Sequence, residues 1–408
     1  MKVLTSPTRR IVAINFFMMF AVQSVYFIGI IGCATYVLSA GALEVSALVF
    51  LMNMAIVLGN LGGGPVIDRV GPRRTLLVSL AALSAMGFAA WLIPVSYPVL
   101  ALASLAIGLF FGAGTTAIDA YPRFFTEDAG HLARMNGLNQ MATGASVIVG
   151  PALAGWIATW APHQCVFALE AFAPIGALAV TYVTREELAK PVSEKGCDAA
   201  AEGAGAGGKA GRFMHELAEG ARIVFGRKEL RVLLVIGFLG LFAYGAFDSL
   251  ESLFYRDVLR VGSDWMGWLS SISGIGGTAG SLLVLKIPKK RFSTWLLAAS
   301  LLVLGVGSMI YTGTNIAPVA AVGQLVCGVG YGALAPIRTT LMQQRCDPSN
   351  VGRVASLMRV GMNSAGTIPL LFAPALADAF GVQAVLFGAS VMAAAVGAFF
   401  MFRFRRES

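Results

Sequence analysis

The stretch GPVIDRVGPRR, residues 64–74, lies between two long apolar runs and combines one acid and three arginines with two glycines. This is a high local charge for a chain in which only 12% of the residues are charged. An ordinary cytoplasmic turn that follows the positive-inside rule explains the arginines. It does not explain Asp68 or the spacing of Gly64 and Gly71, so the stretch has a more specific role.

The composition indicates a membrane protein. Of the 408 residues, 57% are hydrophobic, and the charged fraction is half of the roughly 25% that soluble globular chains carry. Apolar runs of about 20 residues span a bilayer as helices, and long runs without alternation exclude a β-barrel. We therefore predict an all-α membrane protein with about twelve transmembrane helices. The predicted spans are residues 12–38, 44–67, 74–94, 98–121, 133–160, 164–184, 229–251, 265–287, 293–313, 317–342, 351–378 and 382–403.

A long hydrophilic break at residues 185–228 separates the first six spans from the last six. Its Ala/Gly-rich middle is typical of a flexible linker, and residues 212–225 alternate as in a short amphipathic helix on the membrane surface. We predict an N-terminal six-helix half at 1–184, a cytoplasmic linker at 185–228 and a C-terminal six-helix half at 229–408. Three charges recur between the halves at one offset of 219 residues, an agreement that chance also explains: Asp119, Asp128 and Arg134, then Arg338, Asp347 and Arg353.

The opening stretch resembles the signature loop between the second and third helices of major facilitator superfamily transporters. The matching positions are Gly64, Asp68, Arg69, Gly71, Arg73 and Arg74. The resemblance implies two six-helix halves that rock about a central site, with Asp68 as a latch of the inner gate. A carboxylate gains from a helix N-terminus and from guanidinium groups, and the two glycines allow close backbone approach.

The corresponding loop of the second half keeps its positive charge but has no acid. Its basic residues are Lys286, Lys289, Lys290 and Arg291. We therefore expect an asymmetric latch, with the acid on one side only.

The fifth predicted span resembles the exporter-associated helix motif of the same superfamily. The residues that carry this resemblance are Gly137, Ser146, Gly150, Pro151 and Gly155. Two family glycines are replaced, by Ser146 and Ala154, and both replacements are small enough to preserve close helix packing. The resemblance implies a bent, tightly packed helix that favours export. Ordinary small-residue packing is the alternative interpretation.

The fourth predicted span lacks the arginine that many proton-coupled drug exporters carry there. Its only charge is Asp119, near the predicted cytoplasmic end. Since charges at this depth are costly unless paired, we predict an ion pair between Asp119 and one arginine of the second half. The candidates are Arg338, Arg353 and Arg359. Alternatively, Asp119 is a solvated helix end.

Three acids within apolar segments are candidates for proton coupling. Asp248 and Glu251 are three residues apart and so share one helix face, although both also fit wet residues at a helix end. Glu170 lies on a helix that is peripheral in the family fold, so its side chain either carries a proton or snorkels to the interface.

Uncharged amides inside the apolar runs are candidates for substrate contacts. Amides at such positions serve equally often as hydrogen-bonding links between helices. The residues in question are Gln23, Asn53, Gln324 and Asn363.

The placement of the basic residues predicts the orientation. The net charge is +9, and nearly all the loop Lys and Arg residues fall on one side of the predicted spans, with only Arg256 and Arg260 opposite. The positive-inside rule therefore predicts a multi-pass protein of the cytoplasmic membrane with both termini in the cytoplasm. No basic face interleaved with aromatics occurs, which argues against nucleic-acid binding.

The sequence contains no enzyme signature. Its three histidines, His131, His163 and His215, have neither triad nor metal-ligand spacing, and there is no Walker loop for ATP-driven transport. We expect a secondary transporter that exports small amphiphilic compounds in exchange for protons, works as a monomer and needs no metal or cofactor. The alternative is uptake or exchange of a specific, anionic metabolite that uses Arg338 or Arg359.

Overall fold

The computed structural model describes residues 7–126, 128–184, 218–288, 291–346 and 350–405, and no strand occurs within them. This agrees with the predicted all-α fold. The α-helices of the described residues are α1 Pro7–Ser24, α2 Ala42–Val70, α3 Pro72–Leu92, α4 Tyr97–Ala120, α5 Ala129–Trp160, α6 Phe167–Val183, α7 Lys228–Tyr244, α8 Phe247–Leu253, α9 Ser263–Leu285, α10 Thr294–Thr312, α11 Ala317–Arg345, α12 Val351–Thr367, α13 Ala373–Phe380 and α14 Val382–Arg403. Residues 218–226 form a further short helical segment between α6 and α7.

Two of these helices continue as π-helix. Val25–Val37 extends α1, and Phe254–Leu259 extends α8. Such wide turns are rare and occur frequently at functional sites. The second extension corrects one prediction, because Arg256 lies on this helical segment rather than in a loop.

Eleven helices among the described residues are long and apolar enough to cross a membrane. A twelfth span results if the pair Val360–Leu371 and Ala373–Phe380, bent by 42°, is counted as one. The prediction of about twelve spans is thus confirmed. No bend was predicted within span 351–378, but a 3₁₀ turn at Ile368–Leu371 interrupts the helix there. Pro369 in this turn is the physical reason, since a proline inside a helix removes a hydrogen bond and kinks the chain.

The chain divides into two compact units by its internal contacts, and the first comprises Met1–Pro191 together with Ser249–Gly274. Glycines bring its helices together. A Cβ atom at Gly59 or Gly112 would collide with backbone of the facing helix in the pair α2 and α4, and one at Gly87 would collide with α6. Backbones this close gain dispersion contacts that larger side chains would prevent.

The second unit comprises Val192–Asp248 and Ile275–Ser408. Its second and fourth spans, α9 and α11, approach through Gly280 and Gly332, and its third and sixth, α10 and α14, through Gly305 and Gly397. The first unit pairs its spans in the same way. The predicted linker, residues 185–228, falls largely outside the described residues, as do 212–217 of its predicted amphipathic helix; residues 218–225 are helical.

Candidate functional site

The loop between α2 and α3 turns at Gly71, whose backbone conformation favours glycine over any other residue. Gly71 has φ of +85°, a region that side chains with a Cβ rarely adopt. It ends α2, and Pro72 then begins α3 at the first helical position, where proline is preferred. The predicted importance of Gly71 therefore has a conformational cause.

Arg73 anchors α3 to the end of α6. Its Nη2 donates to the carbonyl of Tyr182 at 2.7 Å and its Nε to that of Thr181 at 3.3 Å. Its guanidinium carbon lies 6.0 Å from the centre of the Tyr182 ring. The last carbonyls of a helix lack intrahelical partners and carry partial negative charge, so a guanidinium stabilises this helix end.

The other charged residues of the loop, Asp68, Arg69 and Arg74, are exposed. One expectation fails in this conformation: a Cβ atom at Gly64 would meet open space, so close approach does not explain this glycine.

The small residues of α5 pack it on two neighbours. Ser146 donates to the carbonyl of Phe16 at 3.1 Å, and a Cβ at Gly150 would lie 3.0 Å from Ser24 Oγ, so α1 is close on one side. A Cβ at Gly155 would lie 3.0 Å from the Cα of Gly267 on α9.

The Gly-Pro pair contributes to the α9 contact, because a Cβ at Gly267 would collide with the carbonyl of Pro151. Gly137 differs from the rest of the motif, since it faces open space. The motif therefore brings three of its residues, Ser146, Gly150 and Gly155, into close helix contacts.

A hydrogen-bonded cluster joins the π-helical end of α1 to the segment after α8, both within the first unit. Arg256 donates from Nη1 to the carbonyls of Thr35 at 2.9 Å and Ala40 at 3.1 Å. Its Nε and Nη2 donate to the two carboxylate oxygens of Asp257 at 2.7 and 3.0 Å. The carboxylate thereby orients the guanidinium that holds the α1 backbone.

Hydroxyl groups extend this cluster. Thr35 donates to Ser252 Oγ at 2.8 Å, and Tyr36 donates to the carbonyl of Val261 at 3.0 Å. We call the following residues the Thr35–Arg256 cluster: Thr35, Tyr36, Ala40, Ser252, Arg256, Asp257 and Val261.

His163, just before α6, adjoins the cluster. Its ring stacks on Tyr36 with 6.2 Å between centroids, and its Nε2 lies 2.6 Å from Ser263 Oγ at the start of α9. Four elements of the first unit, the ends of α1 and α8 and the starts of α6 and α9, therefore meet here. No pattern in the sequence indicated this site, although Arg256 was one of only two loop arginines predicted on its side of the membrane.

Glu170 is the most buried of the candidate acids. Its side chain is fully buried in the first turn of α6, and neither carboxyl oxygen has a hydrogen-bond partner among the described residues. The snorkelling alternative is therefore wrong, because a snorkelling side chain reaches the interface. Asp248 and Asp119 are exposed, and Glu251 is half-buried.

The candidate amides and arginines are spread over several helices. Gln324 is buried, whereas Gln23 and Asn53 are half-buried. Arg338 lies on α11 and borders a cavity of the second unit. The side chains of Arg353, Arg359 and Asn363 on α12 fall outside what the structure describes, so the ion pairs proposed for them stay predictions.

The sequence model of the Major Facilitator Superfamily matches residues 11–368 and 290–408. The chain belongs to this superfamily. Membership makes the protein a multi-pass membrane transporter, and the predicted family is confirmed.

Relatives of this transporter include named efflux proteins. Multidrug efflux pump Tap of Mycobacterium tuberculosis is 28% identical over 347 residues, which cover 81% of this chain and 78% of the relative. Macrolide efflux protein A of Streptococcus pyogenes is 24% identical over 353 residues, 82% of each chain.

Solved structures of other transporters share the fold of this facilitator. A crystal structure of peptide transporter POT aligns with a TM-score of 0.76 at 14% identity, covering 98% of this chain and 94% of that one. A D-xylose-proton symporter aligns with a TM-score of 0.68 at 15% identity, covering 96% of each chain. At this identity the likeness concerns the fold alone.

Proposed function

We propose that this facilitator exports small amphiphilic compounds by alternating access, in exchange for protons. The observation that carries the proposal is the close packing of α5 on α1 and α9 through Ser146, Gly150 and Gly155. These residues belong to the motif whose resemblance implies export. The names of the two efflux relatives support the same direction.

The Thr35–Arg256 cluster supplies a latch for one side of the membrane. With the termini in the cytoplasm, as the basic residues favour, the C-terminal end of α1 lies outside. We propose that these hydrogen bonds close the outer end of the transport path and break when it opens. The exposed Asp68, Arg69 and Arg74 serve the inner gate.

Glu170 is our candidate for the proton-carrying group. An ionised carboxylate without a partner in an apolar interior is costly, whereas a carboxyl that exchanges a proton changes its charge during the cycle. Two arginines of neighbouring helices bind α6 far from Glu170. Arg73 on α3 contacts Thr181, which lies eleven residues after Glu170 on α6, or about 16 Å at 1.5 Å per residue. Arg10 on α1 bonds Val183 at the same end.

Uptake or exchange of an anionic metabolite is the second candidate. One observation favours it, namely that Arg338 borders a cavity within the second unit. In either case we expect a monomer without a cofactor in the cell membrane.

Transport by purified protein tests the proposal. Proteoliposomes with an imposed pH gradient should accumulate a radiolabelled macrolide or ethidium on the acidic side, with protons moving in the opposite direction. If neither compound moves and no proton flux follows, export of amphiphiles is excluded. Movement of an organic anion down its own gradient would favour the second candidate.

Asp68→Asn should slow export roughly tenfold or more, the range expected when a hydrogen bond to a charged group is lost. Because Asp68 is exposed, thermal stability should change little. Initial efflux rates and melting temperatures measure both effects. The matched control is Asp378→Asn, which removes another exposed carboxylate; equal rates for the two variants would exclude the latch.

Arg256→Gln should open the outer end of the path. It removes hydrogen bonds from a charged donor to the carbonyls of Thr35 and Ala40, and we expect labelling of Cys33 by an external maleimide to rise roughly tenfold. Cys33 is fully buried beside these contacts, and the assay uses a chain whose other four cysteines are serine.

Arg260→Gln is the control for this experiment, because Arg260 is exposed and directly follows the segment Phe254–Leu259 that carries Arg256. Labelling of Cys33 at the original rate in the Arg256 variant would show that the cluster does not close the path.

A further inference from the structure

The second unit contains a cavity of about 110 Å³ between α7, α10 and α11. Leu297, Leu301 and Leu304 form its wall on α10, and they recur every three or four residues, so they share one helix face. On α7 the wall includes Gly237 and Gly240. These glycines allow close packing, because an added Cβ would lie 2.5 Å from Met362 Cε and 2.7 Å from a methyl group of Leu301, respectively.

Aromatic rings form another part of the wall. Tyr244 and Tyr331 border the cavity with 6.0 Å between their centroids. Tyr244 also stacks on Phe247 at 4.7 Å with nearly parallel planes. A flat apolar group entering the cavity would therefore contact both aromatic rings and leucine side chains.

Among the described lining residues, the cationic group is Arg338, which lies seven residues and so two turns after Tyr331 on the same face of α11. Arg338 is half-buried, and no hydrogen bond or ion pair of its side chain occurs among the residues that the structure describes. A charge inside a membrane helix is costly unless it is paired. The five donors of a guanidinium match a carboxylate or another oxyanion especially well.

The size of the cavity limits what it holds. A cavity of roughly 150 Å³ in another protein binds benzene. The 110 Å³ found here therefore fits a single ring or a branched alkyl group, and a larger compound would extend beyond it.

We infer that this cavity is a binding subsite for compact aromatic anions, or for the ring-and-carboxylate end of a larger amphiphile. The ring enters between the leucines and tyrosines, and the anionic group binds Arg338. The inference rests on the proposed transport of amphiphilic compounds and specifies a class among them.

Ligand-observed NMR on the full-length protein in lipid nanodiscs tests this subsite with benzoate and benzylamine at neutral pH. The two probes share a ring and differ in charge. Benzoate should bind more tightly by roughly tenfold or more, and Arg338→Gln should abolish that preference, as expected for loss of a hydrogen bond to a charged group. Arg338→Lys should retain part of it, because the charge remains without the planar fork.

Two further variants separate the cavity from general effects. Gly240→Ala should weaken benzoate binding, because the added Cβ would lie 2.7 Å from a methyl group of Leu301 and would force this lining side chain to shift. Arg345→Gln removes the same charge from the same helix but outside the cavity lining, and should leave binding unchanged.

Equal binding of the two probes, unchanged binding by the Arg338 variants, or no binding of benzoate to the wild-type protein would each overturn the inference. Because binding is measured without a gradient, these results are independent of the efflux assay. If the protein exports a macrolide but fails this binding test, the proposed function would stand and the subsite would be rejected.

Discussion

Gly155→Val should largely abolish transport and lower the stability of the folded protein. A Cβ at this position would lie 2.9 Å from the carbonyl of Asp264 and 3.0 Å from the Cα of Gly267. These are backbone atoms and cannot rotate away, so α5 and α9 must separate. Overpacking of this kind typically costs about 1–3 kcal/mol, and valine adds two further methyl groups.

Gly144→Val is the matched control, because Gly144 lies three turns earlier on α5 and a Cβ there meets open space. The two substitutions change helix propensity equally. The measurements are the melting temperature in detergent and the initial efflux rate from proteoliposomes. If both variants behave alike, the close contact with α9 is not what the glycine of the motif provides.

The second large effect is expected for Glu170→Gln, which should uncouple export from the pH gradient. Glutamine has nearly the same shape but cannot exchange a proton. Both carboxyl oxygens lack hydrogen-bond partners among the described residues. The substitution therefore breaks no hydrogen bond of the described structure, and folding should be preserved. Efflux driven by a pH gradient should fall to the background rate, while substrate binding persists.

Exchange of labelled substrate across the membrane without a pH gradient distinguishes loss of proton coupling from loss of the folded structure. The Glu170→Gln variant should still exchange substrate, whereas a misfolded variant would show neither exchange nor pH-driven efflux. Asp248→Asn and Glu251→Gln serve as comparisons, because these acids are less buried. Normal pH-driven efflux by the Glu170 variant would move the coupling role to another acid.

The sequence was sufficient for those features that depend on local pattern. Long apolar runs predicted the spans and, between residues 67 and 74, the short loop that joins α2 and α3. The small residues of α5 likewise predicted close packing. Each of these follows from chain properties within a few residues or one helix.

Features that depend on distant partners were not predictable in the same way. Arg256 meets Thr35 and Ala40, more than 200 residues away, and no local pattern indicates that meeting. Glu170 was expected to reach the interface as one alternative, but its depth depends on how α3 and α1 cover α6. Gly64 belongs to the loop motif and Gly137 to the helix motif of α5, yet a Cβ at either position would meet open space in this conformation.

Two arginines of this structure each donate to backbone carbonyls of residues that are distant in the chain. Arg73 donates to the carbonyls of Thr181 and Tyr182, and Arg256 donates to those of Thr35 and Ala40. Every residue presents a carbonyl, so the acceptor positions are free to change identity during evolution. Paired substitutions, which usually reveal spatial contacts, would leave no trace of either interaction, and drifting homologues would retain both as long as the arginines persist.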